Sequence, residues 1–374
     1  MKLSLTKQEF AKSLSFIQNI VDSKSTIPIL SNVLLEAKQG RLHLTATDMD
    51  MTISDKIKIN NIEAEGSICV PAHILYNVIK ELSDDKPIDL RYDENSKKLY
   101  LGSLKSKFTF SCLHKNDFPI LTAENYKINF SLKSSKLKDM IDQTYFAISN
   151  EETRYYLNGI FFHTIKLNNK LFLRSIATDG HRLAKSEVIL QSQINNIFNA
   201  IIPKKLIFEL RKLIDEVEGE IKIDLSDRKI RFSFNETVLL SKLIDGNFPD
   251  YEKVIPKDTK NSFSIDRKIF LDSINRIATI SSEKSKAIKL NLNKNKLTIS
   301  AKNLEEGGTG VEEIEIVYSG PSLDIGFNAG YLKEIINQFS SKEVTVLFSD
   351  STTPTIIKDF SKSEALYVLM PMRV

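Results

Sequence analysis

The feature that most constrains this chain is a change of hydrophobic period that occurs three times. Residues 2–14 read KLSLTKQEFAKSL, residues 129–141 read NFSLKSSKLKDMI, and residues 262–274 read SFSIDRKIFLDSI. Each opens with apolar residues two apart (Leu3 and Leu5, Phe130 and Leu132, Phe263 and Ile265), the alternation of a half-buried strand. Each then passes to helical spacing, through Phe10, Leu14 and Ile17, then Leu137 and Ile141, then Phe270, Ile274 and Ile277. A second unit follows each of these. Val70-Pro71-Ala72 leads into Leu75, Val78, Ile79 and Leu82; Ile202-Pro203-Lys204 leads into Ile207, Leu210 and Ile214; Phe327-Asn328-Ala329 leads into Leu332, Ile335, Ile336 and Phe339. Proline at the first helical position, or a small polar residue, marks such a helix start. Alternating strands come after each helix: Ile88–Tyr92 and Leu99–Leu101, Ile221–Leu225 and Ile230–Phe234, Val344–Phe348 and Thr355–Lys358. Further strand pairs, such as Val33–Glu36 with Leu42–Ala46, lie between the two helices. Two different units in the same order, three times over, predict an α+β fold of three repeated domains. Each has two helices packed on antiparallel sheets of roughly eight short strands. Boundaries near 125 and in the Pro/Lys-rich stretch Val254–Lys260 give domains 1–125, 126–254 and 255–374.

Composition narrows the setting. With 374 residues, 41% hydrophobic and 27% charged, the chain has the balance of a soluble globular protein. No apolar run reaches the roughly 18 residues of a membrane span. Met1-Lys2-Leu3-Ser4-Leu5 passes straight into polar residues, without the apolar stretch of a secretory leader, so a cytoplasmic protein is expected. Cys69 and Cys112 sit in apolar strand-like runs without Cys or His at metal-ligand spacing and read as buried thiols. No cofactor or metal is expected. The net charge of +4 is the small difference between 52 basic and 48 acidic residues. A nucleic-acid partner therefore requires basic residues gathered on one face.

Repetition generates symmetry and a continuous surface, which a ring or array uses and a single active site does not. The early turns of the helices carry Lys7 and Lys12, Lys133, Lys136 and Lys138, Lys204 and Lys205, and Arg267 and Lys268. Acidic residues collect elsewhere, as in Glu312-Glu313-Ile314-Glu315 and Asp84-Asp85. One such helix reads as a solvated face. Recurrence favours a lining that faces phosphates, whose contacts carry affinity without sequence information. The rival reading is an enzyme centred on Asp179-Gly180-His181-Arg182, with Asp and His as acid and base. No G-x-S-x-G, H-E-x-x-H, P-loop or dinucleotide fingerprint accompanies that tetrapeptide, so a non-enzyme is expected. Gly307-Gly308-Thr309-Gly310 reads as a flexible hairpin loop. A third reading is a scaffold that binds peptides but not DNA.

Seven stretches spread along the chain carry a family likeness: TIPILSNVLL (26–35), ATDMDM (46–51), RYYLNGIFF (154–162), ATDGHRLA (177–184), KLIDGNFPDY (242–251), IGFNAGYL (325–332) and YVLMPMRV (367–374). In this order they resemble the sliding-clamp family, the beta subunits of bacterial DNA polymerase III. The resemblance implies a head-to-tail homodimer of three-domain subunits, closed into a six-domain ring with helices inside and sheets outside. Such a ring encircles duplex DNA without sequence specificity and is a non-catalytic processivity factor. It implies as partners an ATP-driven clamp loader, and replicative and repair polymerases and repair proteins tethered through short peptides.

The resemblance also implies a peptide-binding pocket between the second and third domains. Its walls would be Leu157, Thr178, Gly180, His181, Arg182 and Leu183, with Pro249 and Val254 at the edge, then Asn328, Tyr331, Val368, Leu369, Met370, Pro371, Met372 and Arg373. The chemistry suits an extended peptide: methionines adapt to apolar anchors, Arg and His hold polar groups, and Gly180 admits close backbone approach. Ser285 stands where some members have an aromatic residue, which would open the pocket edge, and Lys253 stands where they have Arg. Read without the resemblance, Met370-Pro371-Met372 is a strand end packing into a core. For DNA the resemblance implies Lys24, His73, Lys105, Lys107, Tyr155, Tyr156, Lys204 and Lys205. For the dimer seam it implies the strand with Phe108 and Phe110 of one subunit against Thr279, Ile280, Glu312 and Glu313 of the other.

Overall fold

The computed structural model describes residues 1–21, 25–84, 86–121, 124–190, 197–282, 285–303, 307–359 and 364–373. Among them the same order of elements occurs three times, with one additional short strand, Ile62–Ala64, in the first copy. The first copy runs Lys2–Leu5 (β1), Lys7–Ile17 (α1), Asn32–Lys38 (β2), Arg41–Thr47 (β3), Met51–Lys58 (β4), Ile62–Ala64 (β5), Gly66–Pro71 (β6), Ala72–Glu81 (α2), Ile88–Asp93 (β7), Lys98–Ser103 (β8) and Ser106–Ser111 (β9). The second runs Ile128–Lys133 (β10), Ser134–Asp142 (α3), Gly159–Leu167 (β11), Lys170–Thr178 (β12), Arg182–Ile189 (β13), Asn199–Pro203 (β14), Lys204–Ile214 (α4), Glu220–Leu225 (β15), Lys229–Phe234 (β16) and Thr237–Lys242 (β17). The third runs Asn261–Asp266 (β18), Arg267–Ala278 (α5), Ala287–Asn293 (β19), Lys296–Asn303 (β20), Gly308–Glu315 (β21), Leu323–Asn328 (β22), Ala329–Ile336 (α6), Glu343–Phe348 (β23), Thr355–Lys358 (β24) and Ala365–Leu369 (β25).

The period switch acts as the sequence implies. Phe10, Leu14 and Ile17 of α1, Leu137 and Ile141 of α3, and Phe270, Ile274 and Ile277 of α5 are all buried. Short polar side chains set several helix starts by satisfying free backbone N–H groups. Thr6 accepts from the Glu9 N–H, Asp266 from those of Lys268 and Ile269, and Asn328 from that of Tyr331. Pro71 and Pro203 stand one residue earlier than expected. They end β6 and β14, and the helices begin at Ala72 and Lys204.

Two compact units divide the chain, residues 1–135 with 208–243 and residues 136–207 with 244–374. The first holds a five-stranded sheet, β5-β1-β7-β8-β9, and an eight-stranded sheet, β10-β15-β16-β17-β4-β3-β2-β6. Helix α1 packs beside α2 and over β3 and β4. The second unit holds an eight-stranded sheet, β14-β11-β12-β13-β25-β24-β23-β18, and a four-stranded sheet, β21-β20-β19-β22. There α5 packs beside α6 and over β18, β19, β20 and β21. All pairings are antiparallel.

Each eight-stranded sheet is made of two halves from successive copies. The middle strands of the first copy meet the outer strands of the second through β4 and β17, with Met51 opposite Ser241 and Ile53 opposite Leu239. The middle strands of the second meet the outer strands of the third through β13 and β25, with Leu183 opposite Val368 and Lys185 opposite Leu366. At the first junction, buried Asp55 of β4 accepts hydrogen bonds from Ser13 of α1 and from Thr237 of β17 (2.9 Å), tying helix and both half-sheets together. Two half-sheets stay unfused. One ends in β9, the last outer strand of the first copy and counterpart of β17 and β25. The other ends in β21, the third middle strand of the last copy and counterpart of β4 and β13.

The glycine-rich stretch 307–310 corrects an expectation. Of the four, only Gly307 lies outside β21, in a turn with φ +73°; Gly308, Thr309 and Gly310 belong to β21 and pair with β20. The glycines are there for closeness rather than flexibility. A Cβ on Gly310 would stand 3.2 Å from Ile280 Cγ1 and 3.4 Å from Ile277 Cδ1, where the end of α5 lies on the strand. No helix among the described residues is long and apolar enough to cross a membrane.

Candidate functional site

The second unit carries a mostly apolar groove of roughly 260 Å³ beside the β13–β25 junction. It is lined by Arg154, Tyr156, Leu157, Thr178, Gly180, Arg182, Leu183, Pro249, Asp250, Tyr251, Val254, Val368 and Met370. Leu183 and Val368 are cross-strand partners and form the floor with Leu157, all three buried. Val254 and Met370 are 39% and 37% exposed and stand at the rim, available to an incoming apolar group.

The β12–β13 hairpin forms one end of the groove. Asp179 is committed to holding this turn. Its Oδ1 accepts from the N–H groups of His181 (2.9 Å) and Arg182 (3.0 Å), and its Oδ2 from Arg182 Nε (3.0 Å). The Thr178 hydroxyl donates to the Arg182 carbonyl (2.7 Å) and accepts from the Gly180 N–H (3.1 Å). Gly180 has φ +90°, a backbone conformation that favours glycine, and a Cβ there would stand 2.7 Å from Arg154 Nη1, the far end of a flexible side chain. Arg182 is 8% exposed and multiply held. Besides Asp179 it donates to the Phe146 carbonyl (2.7 Å) and pairs with Glu334 of α6, while its guanidinium lies 4.4 Å from the Tyr331 ring centroid and 5.1 Å from that of Phe146. The Asp-Gly-His-Arg stretch that looked most catalytic in sequence is thus a tightly bonded turn.

The opposite wall comes from residues 248–254. Tyr251 is buried, and its hydroxyl meets His163 Nε2 of β11 (2.9 Å) and Arg174 Nη1 of β12 (3.1 Å). Burial, with the neighbouring Arg174 charge second, pushes the His163 imidazole down to about 4. Burial likewise raises the Tyr251 hydroxyl.

Of the sequence-predicted pocket residues, Leu157, Thr178, Gly180, Arg182, Leu183, Pro249, Val254, Val368 and Met370 line this groove. His181 is exposed and its ring stacks on Tyr331 at 6.1 Å, outside the lining. Asn328 is occupied in capping α6, accepting from the Tyr331 N–H at 3.2 Å. Leu369 is fully buried in the sheet. The Met370 and Met372 N–H groups donate to the carbonyls of His181 and Gly326 (both 2.9 Å), which carries Pro371, Met372 and Arg373 past the groove toward β22. Ser285 is not in the lining, and Lys253 is exposed and paired with Asp250 (3.1 Å). Sequence reasoning did not assign Arg154, Asp250 or Tyr251 to the pocket and gave Tyr156 to DNA; all four lie in or beside the stretches RYYLNGIFF and KLIDGNFPDY quoted above.

The remaining predicted residues are placed as follows. Lys24 lies outside the described residues. His73 is half-buried in the first turn of α2, and Lys105 and Lys107 are exposed at the start of β9. Tyr155 is exposed and meets Tyr156 edge to face at 5.8 Å. Lys204 reaches Asn150, and Lys205 is exposed in the first turn of α4. Of the helix lysines, Lys7 pairs with Asp84 (3.0 Å) and Lys12 with Glu216 (3.1 Å). Phe108 is half-buried on β9 and Phe110 buried beneath it. Thr279 is exposed, and Ile280 packs on the β21 glycines. Glu312 accepts from Arg276 Nε at 3.0 Å, which holds its carboxyl below the usual carboxylate range, and Glu313 pairs with Lys296 (2.9 Å).

A thrice-repeated α+β fold with a mostly apolar groove, beside a hairpin whose Thr178, Asp179 and Arg182 are bonded within the turn, describes a repeat-built binding protein. Comparison with known proteins makes this specific. Models of the DNA polymerase III beta subunit match in order: the N-terminal domain at residues 1–122, the central domain at 131–250 and the C-terminal domain at 252–373. The beta sliding clamp of Caulobacter vibrioides is 38% identical over the full length of both chains, and that of Pseudomonas aeruginosa 36%. Among solved structures, the sliding clamp of Bartonella birtlesii bound to griselimycin is 40% identical with a TM-score of 0.96, covering 100% of each chain. The clamp of Caulobacter crescentus, with polyethylene glycol in its proposed beta-motif tethering region, is 38% identical with a TM-score of 0.97, covering 100% of this chain and 99% of that one. The chain belongs to the DNA polymerase III beta subunit family, the sliding clamps, which are non-catalytic subunits of a replicative polymerase.

Proposed function

We propose that two copies of this chain join head to tail into a closed six-domain ring that encircles duplex DNA and tethers polymerases to it. The carrying observation is the repeated junction. The last outer strand of one copy pairs with the third middle strand of the copy before it at β17–β4 and again at β25–β13. β9 and β21 are the strands of the same two kinds left at sheet ends. Pairing β9 of one subunit with β21 of another repeats the junction and leaves neither edge open. Charge suits the match, since Lys105 and Lys107 stand just before Phe108 at the start of β9 and Glu312, Glu313 and Glu315 lie on β21. Thr279 and Ile280, at the end of α5 against β21, belong to the same seam.

In this reading the domains are 1–125, 126–254 and 255–374. The protein works in the cytoplasm, is placed on DNA by a clamp loader, and holds phosphates without reading bases through Lys24, His73, Lys105, Lys107, Tyr155, Tyr156, Lys204 and Lys205. The groove between Gly180 and Val254 takes the short peptides of polymerases and repair proteins, with His181, Asn328, Tyr331 and the 369–373 tail as its extension. The Caulobacter crescentus relative with polyethylene glycol bound to its proposed beta-motif tethering region supports a groove of this kind. Analytical ultracentrifugation tests the seam. The protein should sediment as a dimer, and Lys105→Glu/Lys107→Glu should shift it to monomer. Mixing that variant with Glu313→Lys/Glu315→Lys should restore a mixed dimer. A monomeric parent protein, or a charge-reversed variant as dimeric as the parent, would refute the proposed seam.

A further inference from the structure

We infer that Arg174, which does not itself line the groove, is a positioning residue for ligand binding and sets one groove wall through Tyr251; the inference rests on the peptide-binding reading above. Arg174 lies on β12 and is 7% exposed. Its Nη1 donates to the Tyr251 hydroxyl (3.1 Å) and to Glu252 Oε1 (2.9 Å), and its Nε to Glu187 Oε2 of β13 (2.8 Å). The same hydroxyl meets His163 (2.9 Å). Three residues earlier, Phe248 stacks on Phe161 of β11 at 4.7 Å and 4°, and Phe161 stacks in turn on His163 at 4.9 Å. The segment is therefore clamped at Phe248 and again at Tyr251, and the residues between and just after, Pro249, Asp250 and Val254, face the groove.

The physical argument turns on what a buried arginine is for. Burying an ion pair contributes little net stability compared with an apolar packing of the same volume. Glu252 is well exposed, so its leg of the network is largely screened. What the guanidinium supplies instead is direction, since its planar fork fixes several acceptors at once. A fixed Tyr251 gives the ligand a wall that is already in place, so ordering that wall does not weaken binding.

The test is calorimetric titration of griselimycin, the compound bound by the Bartonella relative, into the full-length protein and its variants well below their unfolding temperatures. Circular dichroism establishes that each is folded. Arg174→Met should weaken binding by about tenfold, the size of losing one or two pre-ordered side chains. Tyr251→Phe should weaken it less. The loss in Arg174→Met/Tyr251→Phe should be smaller than the sum of the two single losses, because the Arg174–Tyr251 bond is common to both. Arg174→Lys should recover part of the loss, which a mere packing role would not give. Unchanged affinity in Arg174→Met, or losses that add in the double variant, overturns the inference while leaving the groove reading intact. If Arg174→Met does not fold, unchanged affinity in Tyr251→Phe overturns it. No binding to the parent protein overturns the groove reading and this inference with it.

Discussion

Replacing Arg182 by alanine should cause the largest single-residue loss of stability at the groove. The side chain is 8% exposed, and Asp179, its main partner, is 15% exposed. Truncation leaves a carboxylate oxygen of Asp179 and the Phe146 carbonyl without their charged donor, and an orphaned buried acceptor costs about 1–3 kcal/mol. Loss of the guanidinium from the Tyr331 and Phe146 rings adds about 0.5–2 kcal/mol. The leg to Glu334 is 53% exposed on the carboxylate side and adds about 0–1 kcal/mol. Together these give about 1.5–6 kcal/mol, which brackets the roughly 3–5 kcal/mol for breaking a buried pair. At about 2–4 °C per kcal/mol for a unit of this size, the unit's melting midpoint should fall by about 10 °C. Differential scanning calorimetry of Arg182→Ala and Arg182→Lys is the assay. Lysine keeps the charge but cannot serve Asp179 and Phe146 while covering Tyr331, so it should recover less than half the loss. A fall under about 2 °C for alanine, less than 1 kcal/mol, would refute the view that this network holds the hairpin.

Other outcomes follow from the same geometry. His163 is held near 4 in the folded chain against 6.5 unfolded, so the unfolded state binds more protons between these values. Stability present above about 6.5 is therefore lost as pH falls toward 4. Urea unfolding should show a decline of about 1–2 kcal/mol between pH 7 and pH 5 that is absent in His163→Asn. Gly180→Ala puts a side chain on φ +90° and should cost about 1–3 kcal/mol in unfolding experiments, and by displacing the Arg154 guanidinium at the groove it should weaken griselimycin binding. Burial pushes the Cys69 thiol up to about 12 and Cys112 to about 11, so iodoacetamide at pH 8 should leave both unmodified in the native protein and alkylate both in urea.

The triple period switch made the repeat, the helices and most strands legible, because strand alternation and helical spacing are local. Thr355–Lys358, for example, is β24 as read. The fusion of half-sheets was not legible. It pairs residues 51–54 with 238–241, and nothing local in either strand announces the other. Gly308–Gly310 was misread because glycines that admit a helix end look in sequence like glycines that loosen a turn. At the groove, the residues drawn from family likeness that line it sit on β12, β13, β25 and the turns beside them, just before β11, and between β17 and β18. Arg174 and His163 escaped notice for another reason: they reach Tyr251 across 77 and 88 residues of chain. A lone arginine or histidine in a strand carries no spacing signal.

The central claim is that the hold on DNA is topological. The protein, loaded by a clamp loader with ATP onto nicked circular duplex DNA, should stay on the circle through gel filtration and be lost rapidly once a restriction cut makes the DNA linear. Equal loss from circle and linear DNA, where a control clamp is retained on the circle, would contradict encirclement and leave a peptide-binding scaffold in its place.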